Sequence, residues 1–250
     1  MEDMKCYKVG NFLVQEYGEL DSTNTLAENL PQQGLKDRMV ILAQRQTQGR
    51  GQAGNSWESE PDKNIAITII LKPEYLEAGK QFAVSMAVAL GCYDFLCRHV
   101  DGVSVKWPND IYVGDRKIAG ILIEHRVAGA CIATSLCGIG LNVNQREFLS
   151  DAPNPVSLWQ LTGKELPLDQ ALEELLVCID ARYARICDYE GLQKDFLACL
   201  YRAEGVYGWR DSGGSFQASI AGLDEYGQLR LLDTEGKERV YAFKEVVYLP

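Results

Sequence analysis

Residues 44–58 read Q-R-Q-T-Q-G-R-G-Q-A-G-N-S-W-E, and the fold turns on how the glycines are read. Gly49, Gly51 and Gly54 have the G-x-G-x-x-G spacing of a dinucleotide-binding loop. That reading requires a strand before the glycines and a helix directly after them. The apolar run at 39–43 supplies the strand, but N-S-W-E-S-E-P at 55–61 has no apolar periodicity and ends in proline. The stretch therefore reads as a strand running into a glycine loop, with no helix behind it. Lacking Cβ atoms, glycines let backbone N–H groups turn inward and form a nest for an anion. Arg50 adds a guanidinium fork suited to a carboxylate or phosphate. A plain surface loop is the competing reading, and the rest of the chain decides between them.

The 250 residues suffice for one large domain, or for a main domain with a small appendage. An apolar fraction of 46% supports a substantial core. Net charge is −10, which argues against nonspecific nucleic-acid binding, since that depends on cationic side chains neutralising phosphates. No apolar run approaches the length of a membrane span, and the N-terminal M-E-D-M-K-C-Y-K lacks the apolar core of a secretory signal. The eight cysteines are scattered, with no C-x-x-C pair. Cys92, Cys97, Cys178 and Cys199 stand in apolar surroundings and read as buried, reduced thiols of a cytoplasmic protein. His99 and His125 lie far apart and away from any cysteine cluster, which argues against a metal centre.

Upstream of the glycine loop, residues 11–17 read as a strand and D-S-T-N-T at 21–25 opens a short helix with Leu26 and Leu30 on one face. Ser22, Thr23 and Asn24 bring three polar side chains to a helix N-terminus, where unpaired N–H groups also point. They could hold a small polar group such as a urea or an amide; simple capping is the plainer alternative. Residues 39–46 and the β-branched run at 64–71 are strands, and 77–100 is a helix with a core-facing stripe.

S-V-K-W-P-N-D-I-Y-V at 104–113 is the second unusual stretch. A lysine facing inward from an apolar strand is costly unless partnered, and Pro108 must end the strand. Asn109 and Asp110 fall in that break, and residues 111–113 and 118–124 form a hairpin around Gly114-Asp115. Lys117 returns from the turn toward Lys106, so two lysines and Arg50 suggest a local phosphate site in an acidic protein; a solvated turn lysine is the alternative. A strand at 130–140 ends at Asn142, and Ser157 caps a short helix through Leu161. Residues 169–189 form a long amphipathic helix and 190–201 another. After Ala203 the helical period stops, and short β-rich runs alternate with turns at 224–227 and 233–236, giving a small antiparallel barrel or sheet.

Five segments then carry a resemblance by their order: D-S-T-N-T from Asp21, Q-T-Q-G-R-G-Q-A-G-N-S-W from Gln46, K-W-P-N-D-I from Lys106, R-K-I-A-G-I-L from Arg116 and G-I-G-L-N-V-N from Gly138. Over nearly its whole length the chain resembles the biotin–protein ligases. The resemblance implies an α/β fold of α+β type: a mixed-sheet catalytic domain with packed helices over 1–203 and a small SH3-like β-barrel over 204–250. It implies a single-function enzyme without the DNA-binding winged helix of repressor members, because the substrate motif begins at Asp21.

It also implies the reaction. Biotin is activated by ATP to biotinyl-5′-AMP, and a lysine of a biotin carboxyl carrier protein then takes the biotin. Ser22, Thr23, Asn24 and Gln46 would hold the ureido ring, with Gly120 beside the biotin. Gly49, Gly51, Gln52, Gly54 and Trp57 would wrap the carboxylate and phosphate. Arg50 and Lys106 would stabilise charge on the reacting oxygens, and Lys117 and Asn142 would face the nucleotide. Magnesium would arrive with ATP, Asp110 being the one candidate ligand. A homodimer is a further partner to consider. Gln52 and Asn55 depart from the family loop G-R-G-R-x-G-R-x-W, removing two positive charges and putting retention of the adenylate in doubt. Trp159 reads as helix core, which leaves adenine stacking unassigned. The rival readings are a lipoate–protein ligase or octanoyltransferase of the same superfamily, and a non-catalytic binding module. K-W-P-N-D favours biotin, and intact Arg50, Lys106 and Lys117 favour catalysis.

Overall fold

I-A-I-T-I-I-L at Ile65–Leu71 is buried at every position because its strand lies inside a sheet covered on both faces. The computed structural model describes residues 4–150 and 152–249; residues 1–3 of the N-terminal octapeptide and residue 151 of the 144–155 loop lie outside it. In chain order the first elements are β1 (Lys5–Val9), β2 (Phe12–Leu20), α1 (Thr23–Asn29), β3 (Met39–Gln46), β4 (Ile65–Leu71) and α2 (Phe82–Leu96). Then come β5 (Val103–Lys106), β6 (Asp110–Val113), β7 (Arg116–Ala128) and β8 (Cys131–Leu141). These strands form one mixed sheet in the order β1-β2-β3-β4-β8-β7-β6-β5, in which only β2 and β3 run parallel.

Side chains alternate between the two faces of a strand. Along β4, Ile65, Ile67, Ile69 and Leu71 join the large core cluster with α2, whereas Ile70 joins a smaller cluster with Ala27 of α1. Thr68, on the α1 side, donates to Asn24 Oδ1 (2.5 Å) and lies within hydrogen-bonding distance of Thr23 Oγ1 (2.9 Å). That face carries the polar N-terminus of α1, and the other face carries the bulk of the core.

The chain continues through α3 (Leu158–Thr162), α4 (Leu168–Tyr183) and α5 (Tyr189–Ala198). Helix α4 crosses α2 closely at Gly91: an added Cβ there would lie 2.6 Å from Ile179 Cγ1. Ser157 and Gln160 close a capping box on α3. Both long helices are shorter than their periodicity predicts. Ala78–Lys80 is a 3₁₀ turn ahead of α2, and the helix expected at 169–189 stops at Tyr183, because Asp188 starts a new one by accepting from Gly191 N–H at 3.0 Å. All eight cysteines are unpaired, and Cys92, Cys178 and Cys199 are buried as expected. Cys97 is not: it caps the C-terminus of α2, past the last buried turn, and is exposed.

The C-terminal module comprises β9 (Tyr207–Asp211), β10 (Gly214–Leu223), β11 (Leu229–Asp233), β12 (Glu238–Tyr241) and β13 (Val247–Tyr248), all antiparallel, in the order β12-β11-β10-β9-β13. It is a five-stranded antiparallel sheet, the sheet form of the barrel or sheet expected; among the described residues no ladder pairs β12 with β13, which is only two residues long. Its core residues Trp209, Leu229 and Leu231 belong to the same cluster as α2. Gly227, at φ +83°, lets the Phe82 ring sit where a Cβ would be, and its carbonyl accepts from the Trp107 indole N–H at 3.0 Å. The module is thereby fastened beside the end of β5.

Candidate active site

One cavity of about 510 Å³ opens on the α1 face of the main sheet. It is lined from α1 by Ser22, Thr23 and Asn24, from the end of β3 by Gln46, and from the glycine loop by Arg50, Gly51, Gln52 and Trp57. Lys106, Asp110, Lys117 and Gly120 line the opposite side, and Phe243, Lys244 and Tyr248 of the C-terminal module form part of the wall. Seven separate segments of chain converge in its lining, and the site residues read from the sequence largely share this space. Three do not. Gly49 and Gly54 line an adjoining hollow of about 500 Å³ on the other side of the loop. Asn142 is buried behind the wall, where it donates to Val156 O at 3.1 Å, because β8 ends at Leu141 and the chain turns inward.

The glycine loop is folded, not open. Gly51 N–H donates to Asn55 O (2.6 Å) and Trp57 N–H to Gly49 O (2.9 Å), with a 3₁₀ turn at Gln52–Gly54 between them. Gly49 is required by this approach, since a Cβ would lie 2.5 Å from Trp57 O. Trp57 lays its indole on the sheet over Gly120 and Gly140, which face each other across β7 and β8; a Cβ at either glycine would run into the ring. The next residue, Glu58, ties the loop down by accepting from Leu149 and Ser150 N–H, both at 2.8 Å, and from Gln145 Nε2 at 3.1 Å. Burial raises the Glu58 pKa, but these hydrogen bonds outweigh it and leave the carboxyl below the usual glutamate range.

At one end of the cavity the polar groups form a chain. Ser22 is the N-cap of α1. Thr23 N–H and Oγ1–H both point to Gln46 Oε1 (2.8 and 3.3 Å), and Thr68 bridges Thr23 to Asn24. Asn24 Nδ2 donates to Glu124 Oε2 at 2.9 Å, and Asn24 lies over Gly138, which has no side chain to displace it. These side chains do more than cap a helix: Thr23 and Asn24 are less than 5% exposed and aligned by partners from three strands.

The cations line the same space, Arg50 beside the polar cluster through Glu124. Arg50 pairs with Glu124 (2.7 Å) and with Glu28 (3.4 Å). Lys117 pairs at 2.8 Å with Asp110, the cross-strand neighbour of Lys106, and approaches the Trp57 ring. Lys106 forms no ion pair among the described residues; its Nζ donates to the Tyr112 hydroxyl at 3.1 Å. Burial pushes the Lys106 ammonium below the usual lysine range; Asp110 and Asp115 oppose this, and Arg202 adds to it. Among the described residues no three His, Cys, Asp or Glu side chains converge as a metal site, and Asp110 is already engaged by Lys117. Trp159 is half-exposed under the Arg146 guanidinium rather than in the core, and it does not line the cavity.

With that geometry in place, the comparison with known proteins is direct. The profile of the Biotin/lipoate A/B protein ligase family matches residues 17–142, which span α1, the glycine loop and the hairpin up to Asn142. The chain belongs to this family. Among relatives, the biotin--[acetyl-CoA-carboxylase] ligase of Paracoccus denitrificans is 32% identical, the match covering 89% of this chain and 95% of that protein. The bifunctional ligase/repressor BirA of Bacillus subtilis is 28% identical over 96% of this chain and 75% of its own length. In structure, the biotin protein ligase from Aquifex aeolicus in complex with biotin and ATP superposes with a TM-score of 0.78 at 23% identity, covering 94% of this chain and 97% of that one. The fold of this family member is that of the biotin protein ligases.

Several residues of the cavity and of the hydrogen-bond network behind it were not assigned from the sequence. Thr68 and Glu124 lie in strands whose apolar patterning masks them, and Phe243, Lys244 and Tyr248 come from the far end of the chain. Asn109 was visible in W-P-N-D; its side-chain amide holds the carbonyl of Ile121.

Proposed function

We infer that the protein is a biotin–protein ligase that forms biotinyl-5′-AMP from biotin and ATP and passes the biotin to a lysine of a biotin carboxyl carrier protein. The observation that carries this reading is the cavity's make-up: buried hydroxyl and amide groups of Ser22, Thr23 and Asn24 share one space with the cationic side chains of Arg50, Lys106 and Lys117. A ureido ring presents one C=O and two N–H groups, which the Ser22, Thr23, Asn24 and Gln46 cluster is equipped to satisfy.

In the first step a biotin carboxylate oxygen attacks the α-phosphorus of ATP, and the bond to pyrophosphate breaks. Negative charge builds on the phosphoryl oxygens and on the leaving group. Lys106 keeps two N–H donors beyond the one given to Tyr112, and we assign it to the reacting oxygens. Arg50, presented by the glycine loop, shares that role. Lys117, held against Trp57 by Asp110, is assigned to the nucleotide side with Gly51, Gln52 and Trp57. Asn142 sits too deep to face phosphate directly and would act from behind the wall. Magnesium is part of the nucleotide substrate, and no protein ligand is assigned to it. In the second step the acceptor lysine amine attacks the mixed anhydride and AMP leaves, with no covalent bond to the enzyme.

Among the described residues no helix is long and apolar enough to cross a membrane, and a cytoplasmic setting, where ATP and reduced thiols coexist, belongs to the same reading. The deciding experiment is ATP–pyrophosphate exchange with biotin, lipoate and octanoate side by side. Exchange with biotin alone supports the reading; equal exchange with lipoate, or none with biotin, overturns it.

A further inference from the structure

Lys106 Nζ stands against three aromatic rings, at 4.7 Å from the centroid of Tyr112, 4.9 Å from Tyr248 and 5.7 Å from Tyr201. Each ring is fixed by a different part of the fold. Tyr112 lies on β6, paired to Ser104 in β5. Tyr201 follows α5, and its N–H donates to Val105 O at 2.8 Å, which ties it beside Lys106. Tyr248 lies on β13, paired to Trp209, with ring centroids 4.3 Å apart. The rings also touch one another, Tyr112 to Tyr201 at 5.4 Å and Tyr201 to Tyr248 at 5.9 Å, so they form a continuous wall.

We propose that Tyr248 of the C-terminal sheet is a positioning residue for the adenylation step, closing an aromatic cage that holds the Lys106 ammonium charged and aimed at the reacting oxygens. This rests on the assignment of Lys106 to those oxygens. A half-buried ammonium needs a partner, and a carboxylate would cancel the charge that the phosphate is to receive. An aromatic face stabilises the cation through its quadrupole and takes up no N–H donor. Only the Tyr112 hydroxyl takes one, so the remaining donors stay available to ligand. The charged groups around Lys106 are arranged to leave it so. Asp110 is engaged by Lys117, Asp115 accepts from the Tyr201 hydroxyl at 2.7 Å, and Arg202 packs on the other rings, Tyr201 and Tyr207. The C-terminal module is therefore part of the catalytic centre, and the site is incomplete without it.

The test is biotin-dependent ATP–pyrophosphate exchange as a function of pH in wild type, Tyr248→Phe and Tyr248→Leu. The rings favour the protonated lysine. Leu keeps water out but removes one face, so Lys106 should lose its proton at lower pH and the alkaline limb of activity should move down. We expect a displacement of roughly half to one pH unit, about three- to tenfold in rate at a fixed pH on that limb, with Phe leaving the limb in place. A limb unmoved by Leu, or moved equally by Phe, overturns the proposal, because a packing role alone would not separate the two. Where Leu does not fold, Tyr248→Met carries the same comparison with a more adaptable side chain. Wild-type exchange is the internal control. Its absence overturns the assigned reaction; its presence with an unmoved limb overturns only the cage.

Discussion

The Arg50 guanidinium donates to Glu124 Oε1 at 2.7 Å while the other oxygen of that carboxylate accepts from Asn24 at 2.9 Å. One side chain on β7 thus spans the glycine loop and the polar cluster of α1. Seating a ligand against Asn24 and positioning Arg50 are consequently linked through Glu124. A glutamine here has one acceptor and one donor group where two acceptors are needed, so it can satisfy Asn24 or Arg50 but not both. Both side chains of the ion pair are about one-third exposed, which limits the effect. Glu124→Gln should lower kcat/KM for biotin by roughly three- to tenfold, about 1 kcal/mol, with less change in the KM for ATP. Pyrophosphate exchange with each substrate varied in turn measures this, and an unchanged biotin term would make Glu124 a solvated counter-charge.

Gly138 and Gly140 lie two residues apart on β8, on the face that carries the site. A Cβ on Gly138 would collide with the Asn24 amide, and one on Gly140 with the Trp57 indole. Neither glycine has a positive φ, so alanine at these sites is a steric probe and not a backbone one. Overpacking costs about 1–3 kcal/mol, roughly five- to hundredfold in an equilibrium. Gly138→Ala should therefore raise the biotin KM, and Gly140→Ala the ATP KM. Substrate-varied exchange assays separate the two, and identical effects of both variants would show a general loosening of the sheet.

Much of this was legible in the chain. Residues 39–46 are a strand as read, the hairpin around Gly114-Asp115 forms, and Ser157 caps its helix. Those features depend on local period and turn chemistry. The absence of a helix after the glycines was equally readable, from proline and a lack of apolar spacing. What could not be read depends on which face a strand presents and on what comes from far along the chain. Glu124 looks like the end of an apolar strand until β8 sets its register, and Tyr248 reaches Lys106 only because the second sheet packs on α2. Lys117, expected to return toward Lys106, lines the same cavity, but its pairing with Asp110, which lies opposite Lys106 across β5 and β6, was not read. Strand β1 escaped notice because K-C-Y-K-V is exposed along the sheet edge and lacks an apolar face.

Lys106 and Lys117 differ in what holds them, which predicts different losses. Among the described residues Lys106 has no ion-pair partner to release, so its charge is not neutralised by a carboxylate before ligand binds. Loss of one preorganised charge contact costs on the order of 10²–10³ in rate. Lys106→Ala should reduce exchange by that order while the circular dichroism spectrum and melting temperature stay near wild type. Lys117→Ala would free Asp110 to repel the nucleotide phosphates and should appear mainly as a higher KM for ATP. Near-normal exchange in Lys106→Ala would mean that the ammonium is structural.

Gln52 stands where the family pattern has an arginine, and it lines the cavity from the 3₁₀ turn of the loop. Its Oε1 is buried without a hydrogen-bond partner among the described residues, so the side chain is directed into the protein and not dispersed in solvent. The nearby loop cation, Arg50, is paired with Glu124 and Glu28, so an arginine at 52 would add net positive charge to this loop. An exposed charge contact contributes about 0–1 kcal/mol, and one closed off from water contributes more. Gln52→Arg should therefore slow dissociation of biotinyl-5′-AMP by a few-fold to roughly tenfold, one decade being about 1.4 kcal/mol. The adenylation rate should change less, because Lys106 and Arg50 are unaltered. The measurement is the off-rate of the adenylate from wild type and variant at low and high salt. A slower off-rate that disappears at high salt is the electrostatic signature. An off-rate unchanged at low salt would show that residue 52 points away from the phosphate, making glutamine there a neutral departure from the family loop.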